Sequence, residues 1–122
     1  MIEAAVGLDG GGRVRSFTVR NHGRSEICAA VSMFALNTVN SVEALTEQKF
    51  ICESDKKNGF IRFETEGEPC EKAAVLLESL LLGLRSVKQK YGNKIVLKEE
   101  EFMPTEGSPA NGGTFSAVDE RE

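Results

Sequence analysis

His22 is the single histidine of this 122-residue chain, and five residues separate it from Cys28, one of three cysteines. A cysteine becomes a nucleophile when a base takes its proton and a local positive potential favours the thiolate. An imidazole is suited to the first task and a helix N-terminus to the second. The run Asn21-His22-Gly23-Arg24-Ser25-Glu26-Ile27-Cys28-Ala29-Ala30-Val31-Ser32 offers both, if the backbone passes there from strand to helix. Each residue also has a plainer role. A helix cysteine is often a small buried hydrophobe, and a loop histidine is often solvated or capping.

The flanking pattern supplies the required elements. Ile2–Leu8 and Val14–Asn21 read as strands joined by Asp9-Gly10-Gly11-Gly12, residues that tolerate positive φ. Ser25 is a good N-cap for a helix Glu26–Leu45, with Glu26 in the first turn where the macrodipole favours negative charge. Ile27, Val31, Phe34, Ala35, Thr38 and Val42 make a stripe at helical spacing that should face a sheet. Cys28 then stands at the third helical position, beside unpaired first-turn N–H groups. Ser32 follows one turn later on the same face, able to contact a bound peptide or to bond back to the carbonyl of residue 28. Ala29 and Ala30 leave little bulk near the sulfur.

Residues 49–54 and Phe60–Thr65 form a second hairpin with Asn58-Gly59 as its turn signal. Pro69 is expected to open a helix over 69–91, closed by Gly92, which places Cys70 in its first turn. One face carries Ala73, Leu76, Leu77, Leu80, Leu84 and Val87. Val75, Leu81 and Leu82 widen the apolar arc beyond a single sheet contact, which suggests a homodimer interface. Cys52, in a strand of the second hairpin, reads as structural, and residues 94–102 read as a last strand. The order ββαββαβ predicts an α/β (α+β) two-layer sandwich, a mostly antiparallel sheet with both helices on one face.

With 122 residues and 40% hydrophobic content, the chain should form one domain over residues 1–102, with 103–122 a flexible acidic tail. Glu106, Asp119, Glu120 and Glu122 against Arg121 account for most of the net charge of −4, which disfavours a general nucleic-acid binder. Arg13, Arg15, Arg20 and Arg24 cluster near the second strand. They suit an anionic partner or are simply solvated. No signal pattern is evident, and no apolar run nears the ~18 residues of a membrane span. A soluble, cytoplasmic protein with no membrane partner is expected, its cysteines free because their spacing is neither metal-like nor a redox pair.

The segment Ile27-Cys28-Ala29-Ala30-Val31-Ser32, preceded by His22-Gly23, resembles the signature of the ribosomal-processing cysteine protease (Prp) family, and the likeness extends over most of residues 1–101. The resemblance implies a His22/Cys28 catalytic dyad, with Ser32, Ser25 and Glu26 in support and Asn21, Gly23, Arg24 and Ala29 against the substrate. It also implies removal of an N-terminal extension from a large-subunit ribosomal protein, by cleavage after an aromatic and before a small residue, in a homodimer without metal or organic cofactor. Two departures from the family pattern stand out. The loop between His22 and Cys28 is shorter, which implies a reduced gate, and Ser25 stands where the family tends to carry aspartate. A non-catalytic ribosome-associated binding protein and a dimeric structural domain are the alternatives.

Overall fold

In the computed structural model, residues 1–21, 25–55 and 57–104 are described. Strand β1 (Ile2–Leu8) and strand β2 (Val14–Asn21) form the expected antiparallel hairpin. Asp9 closes its turn, because its Oδ1 accepts the backbone N–H groups of Gly11 and Arg13, each at 2.9 Å. The bond from the Arg13 N–H, above all, holds this carboxyl below the usual aspartate range. Gly12 takes φ +85°, which glycine adopts at little cost. Gly7 faces Ser16 and Leu8 faces Val14, so Arg15 is the extra residue of a bulge.

Helix α1 (Glu26–Leu45) follows, then strands β3 (Phe50–Asp55) and β4 (Phe60–Thr65), helix α2 (Glu71–Lys90) and strand β5 (Ile95–Glu101). The sheet order is β3-β4-β2-β1-β5. Three strand pairs are antiparallel, and β5 joins β1 in parallel, the one pairing that needs a helical crossover. Both helices pack on one face, α1 over β2 and β4 and α2 over β2 and β5, as the element order predicts. Phe63 stacks between Phe17 and Phe50 at centroid distances of 5.1 and 5.0 Å, filling the middle of the buried layer.

Local readings differ from the structure in four places. Pro69 lies outside α2, and Cys70 is the N-cap, with extended φ and ψ of −68° and 165°. Its N–H is bonded to Gln48 Oε1 at 2.6 Å, so the chain is tied to the preceding loop before the helix can begin. The helix ends on Tyr91, and Gly92 is absent from the glycines with positive φ, so no left-handed cap closes it. Leu81 is 2% exposed and belongs to the protein's own core, whereas Val75 and Leu82 are 63% and 53% exposed. On α1 the buried stripe is Cys28, Val31, Ala35, Thr38, Val39 and Val42. Ile27 and Phe34 are only half-buried because they turn toward α2, which the single-sheet reading did not include.

By length and a mean hydropathy of 1.2, α1 would pass as a membrane span, contrary to the sequence expectation. One side of the helix, Cys28, Val31, Ala35, Thr38, Val39 and Val42, is buried in the protein's own core, 33% of the span. The expected tail lies, beyond residue 104, outside the described residues.

Candidate active site

Strand β2 is central in the sheet, and its last residue, Asn21, pairs with Ile2 at the start of β1. The chain then enters α1 from this end of the sheet. Ser25 has φ −73° and ψ 166°, and its Oγ accepts the backbone N–H of Cys28 at 3.1 Å. The Ser25 carbonyl accepts the first intrahelical bond, from the Ala29 N–H, also at 3.1 Å. A serine at this position does the capping that an aspartate would do, so the substitution relative to the family pattern keeps the helix start. Glu26 occupies the first turn and is exposed.

Cys28 is the third helical residue, as the spacing predicts. It is 5% exposed and belongs, with Val31, Ala35 and Val39, to the buried side of α1. Ser32, one turn on, is half-buried, and Ala29 and Ala30 are exposed. The cap has a chemical consequence. Because the Cys28 N–H is committed to Ser25, the first-turn donors for which the helix itself offers no acceptor are those of Glu26 and Ile27. Among the described residues no three acidic, histidine or cysteine side chains gather in a metal-like group.

The structure thus brings Ser25, Glu26, Cys28, Ala29 and Ser32 together on the first two turns of one helix, at the end of the central strand. His22, Gly23, Arg24 and the side chain of Asn21 lie outside the described residues, and with them the expected contact between His22 and Cys28. Of the other cysteines, Cys52 is buried in β3 and Cys70 is exposed at the head of α2, and none of the three is in a disulfide.

One feature of this region was missed in the sequence. An open groove of about 410 Å³ runs between the start of α1 and the end of α2, lined mainly by Ile27, Ala30, Val31 and Phe34 on one side and Val87 and Tyr91 on the other. Its signal was the mid-helix Gly83. A Cβ there would lie 2.0 Å from the Phe34 ring, so glycine alone lets the ring rest on the α2 backbone. That contact sets the separation of the helices.

Comparison with known proteins agrees with this geometry. A crystal structure of the ribosomal processing protease Prp from S. aureus with a covalently linked product peptide superposes with a TM-score of 0.75 at 21% identity, over 81% of this chain and 99% of that one. The same protease with a substrate peptide gives 0.75 at 20% identity and the same coverage. SMU.848 from Streptococcus mutans gives 0.73 at 24% identity, over 84% and 99%. At these identities the likeness is one of fold. No curated protein matches the chain. The family profile of the cysteine protease Prp matches residues 1–96, which take in β1 to β4, both helices and the first residues of β5, and the chain therefore belongs to the Prp cysteine protease family.

Proposed function

We propose that this chain is a cytoplasmic cysteine endopeptidase that removes the N-terminal extension of a large-subunit ribosomal protein, with Cys28 as nucleophile and His22 as general base. The supporting observation is the place of Cys28, on the first turn of an N-capped helix at the end of the central strand, within the residues that the family profile matches. In this reading His22 accepts the Sγ proton, and the thiolate attacks the scissile carbonyl carbon to form an S–C bond. The C–N bond then breaks as His22 returns its proton to the leaving amine. Water hydrolyses the thioester, releasing the carboxylic acid and restoring the thiol. First-turn N–H groups of α1 would face the oxyanion, and Asn21, Gly23, Arg24 and Ala29 the substrate, with Ser32 and Glu26 alongside.

The test is incubation with the ribosomal protein of the same genome carrying an aromatic-aromatic-small N-terminal motif. Wild-type protein should shorten it, and His22→Ala should slow cleavage by at least ~100-fold, the usual scale for a general base. Substrate left intact by the wild-type protein would favour the second reading, a ribosome-associated binding protein without turnover. The burial of Cys28 is the observation on that side.

The reading includes a homodimer. Val75 and Leu82 stand two turns apart on the outer face of α2 and stay exposed, so a second copy has an apolar stripe to cover. Light scattering at micromolar concentration should give twice the 13.3 kDa of one chain. A monomer mass would remove this part of the proposal.

A further inference from the structure

We propose that Phe34 and Gly83 are a positioning pair: the Phe34 ring, seated on the backbone of α2, fixes where the first turns of α1 hold the Cys28 thiol. The inference deepens the protease reading and rests on it.

The two helices meet at Phe34 and Gly83, and the groove between them opens from that contact toward Ile27 on α1 and Tyr91 on α2. Along the groove the first two turns of α1 have open space on the side that faces α2. Phe34 is therefore the place where α2 bears on the part of α1 that carries Cys28. Six residues separate Phe34 from Cys28, about 9 Å of helix axis at a rise of ~1.5 Å per residue. A hydrogen-bonded helix is stiff over so short a length, so a shift at Phe34 reaches the thiol.

Helix α2 is the fixed side of this contact. Leu80, Leu81 and Leu84, the neighbours of Gly83 in sequence, are buried. Arg85 donates two bonds to the Glu99 carboxylate of β5, at 2.8 and 2.7 Å, and Lys88 Nζ donates to the carbonyls of Gly92 and Ile95. No ion pair can hold the body of α1, which carries no charged residue between Glu26 and Glu43. Its place depends on apolar contact: the buried side of Val31, Ala35, Val39 and Val42, and Phe34 on α2. A methyl group at position 83 would overlap the Phe34 ring. Because carbon atoms rest ~3.5–4.0 Å apart, the ring must retreat by more than ~1 Å. With α2 tied to the core and to β5, α1 takes up that retreat and carries Cys28 with it. A displacement of ~1 Å at a reacting group can cost ~100-fold in rate.

A double-mutant cycle on the full chain provides the test: Gly83→Ala, Phe34→Leu and the two together, each at a temperature where circular dichroism shows it folded. Two quantities are read. One is kcat and KM for cleavage of the extended ribosomal protein. The other is the amide ¹H–¹⁵N signal of Cys28, which reports its place directly because that N–H is bonded to Ser25 Oγ. Gly83→Ala should lower kcat at least ~10-fold with KM within ~2-fold, and should displace the Cys28 signal. Adding Phe34→Leu gives the new methyl the space of the ring. It should recover at least ~5-fold in kcat and return the Cys28 signal toward its wild-type position, as expected for residues in contact.

Unchanged kcat in folded Gly83→Ala, a change in KM alone, or no recovery in the double variant would overturn the pairing and leave the protease reading standing. If Gly83→Ala does not fold, Phe34→Leu alone decides. It withdraws the ring from α2, so kcat should fall at least ~3-fold and the Cys28 signal should move, and wild-type values of both would overturn the pairing. Wild-type protein that leaves the substrate intact, with the Cys28 signal displaced by Gly83→Ala and restored in the double variant, would sink the protease reading and keep the pair as what places Cys28. A Cys28 signal that never moves would overturn the pairing whatever the activity.

Discussion

Cys28 and Cys70 both stand at the beginning of a 20-residue helix, yet the two helix starts are built differently. Cys28 lies two residues inside the first turn, with a serine cap bonded to its own N–H and its side chain in the core. Cys70 is itself the cap, makes no side-chain capping bond, and is exposed. Its N–H is held by Gln48 from the preceding loop. A thiol near a helix N-terminus is therefore not one environment but at least two. In the first the helix and the sheet hold the sulfur in a fixed place at the end of the central strand, and in the second the cysteine only ends a loop.

The largest test of that contrast is catalytic. Cys28→Ala should lower cleavage of the extended ribosomal protein by at least ~1,000-fold, the scale seen when a nucleophile is removed, while Cys70→Ala changes it less than about twofold. Equal losses in the two variants, or none in Cys28→Ala, would erase the distinction.

The helix that carries Cys28 is also braced against α2. Phe34, less than two turns after Cys28, lies on Gly83, and an added Cβ would collide with its ring. Gly83→Ala should therefore destabilise the protein by about 2 kcal/mol in urea unfolding, by overpacking, although alanine in a helix interior ordinarily gains about 1 kcal/mol over glycine. A stabilised variant would mean that the ring moves aside freely, and that the helix separation is not set there.

The smallest expected effect concerns the caps. Ser25→Ala should cost about 1 kcal/mol of stability through the lost bond to the Cys28 N–H. Cys70→Ala should cost well under half of that, since no capping bond is lost. Similar losses measured by urea denaturation would indicate that Ser25 does no more for α1 than Cys70 does for α2.

Much of this was legible in the chain. The bounds of β1, β2, α1 and β4 follow from turn glycines, a serine cap and alternating or helical apolar spacing, signals that act within a few residues of themselves. The third-position placement of Cys28 follows from the same local rules. The start of α2 did not, because the bond between the Cys70 N–H and Gln48 joins residues 22 apart, and Pro69 by itself suggested an earlier beginning. The neighbours of Leu81, Ile27 and Phe34 were equally hidden. A helical stripe says how wide the apolar arc is, not whether sheet, helix or a second copy will cover each edge.

The sequence by itself determined the element order, the family signature and the residues able to do cysteine chemistry, since these rest on residue type and short-range spacing. Tertiary structure alone decided that β5 pairs in parallel with β1, that Cys28 faces the buried layer while Cys70 faces solvent, and that Gly83 meets Phe34 beside an apolar groove. Each of these depends on packing between segments tens of residues apart, where burial of apolar surface and close contact, not local propensity, set the outcome.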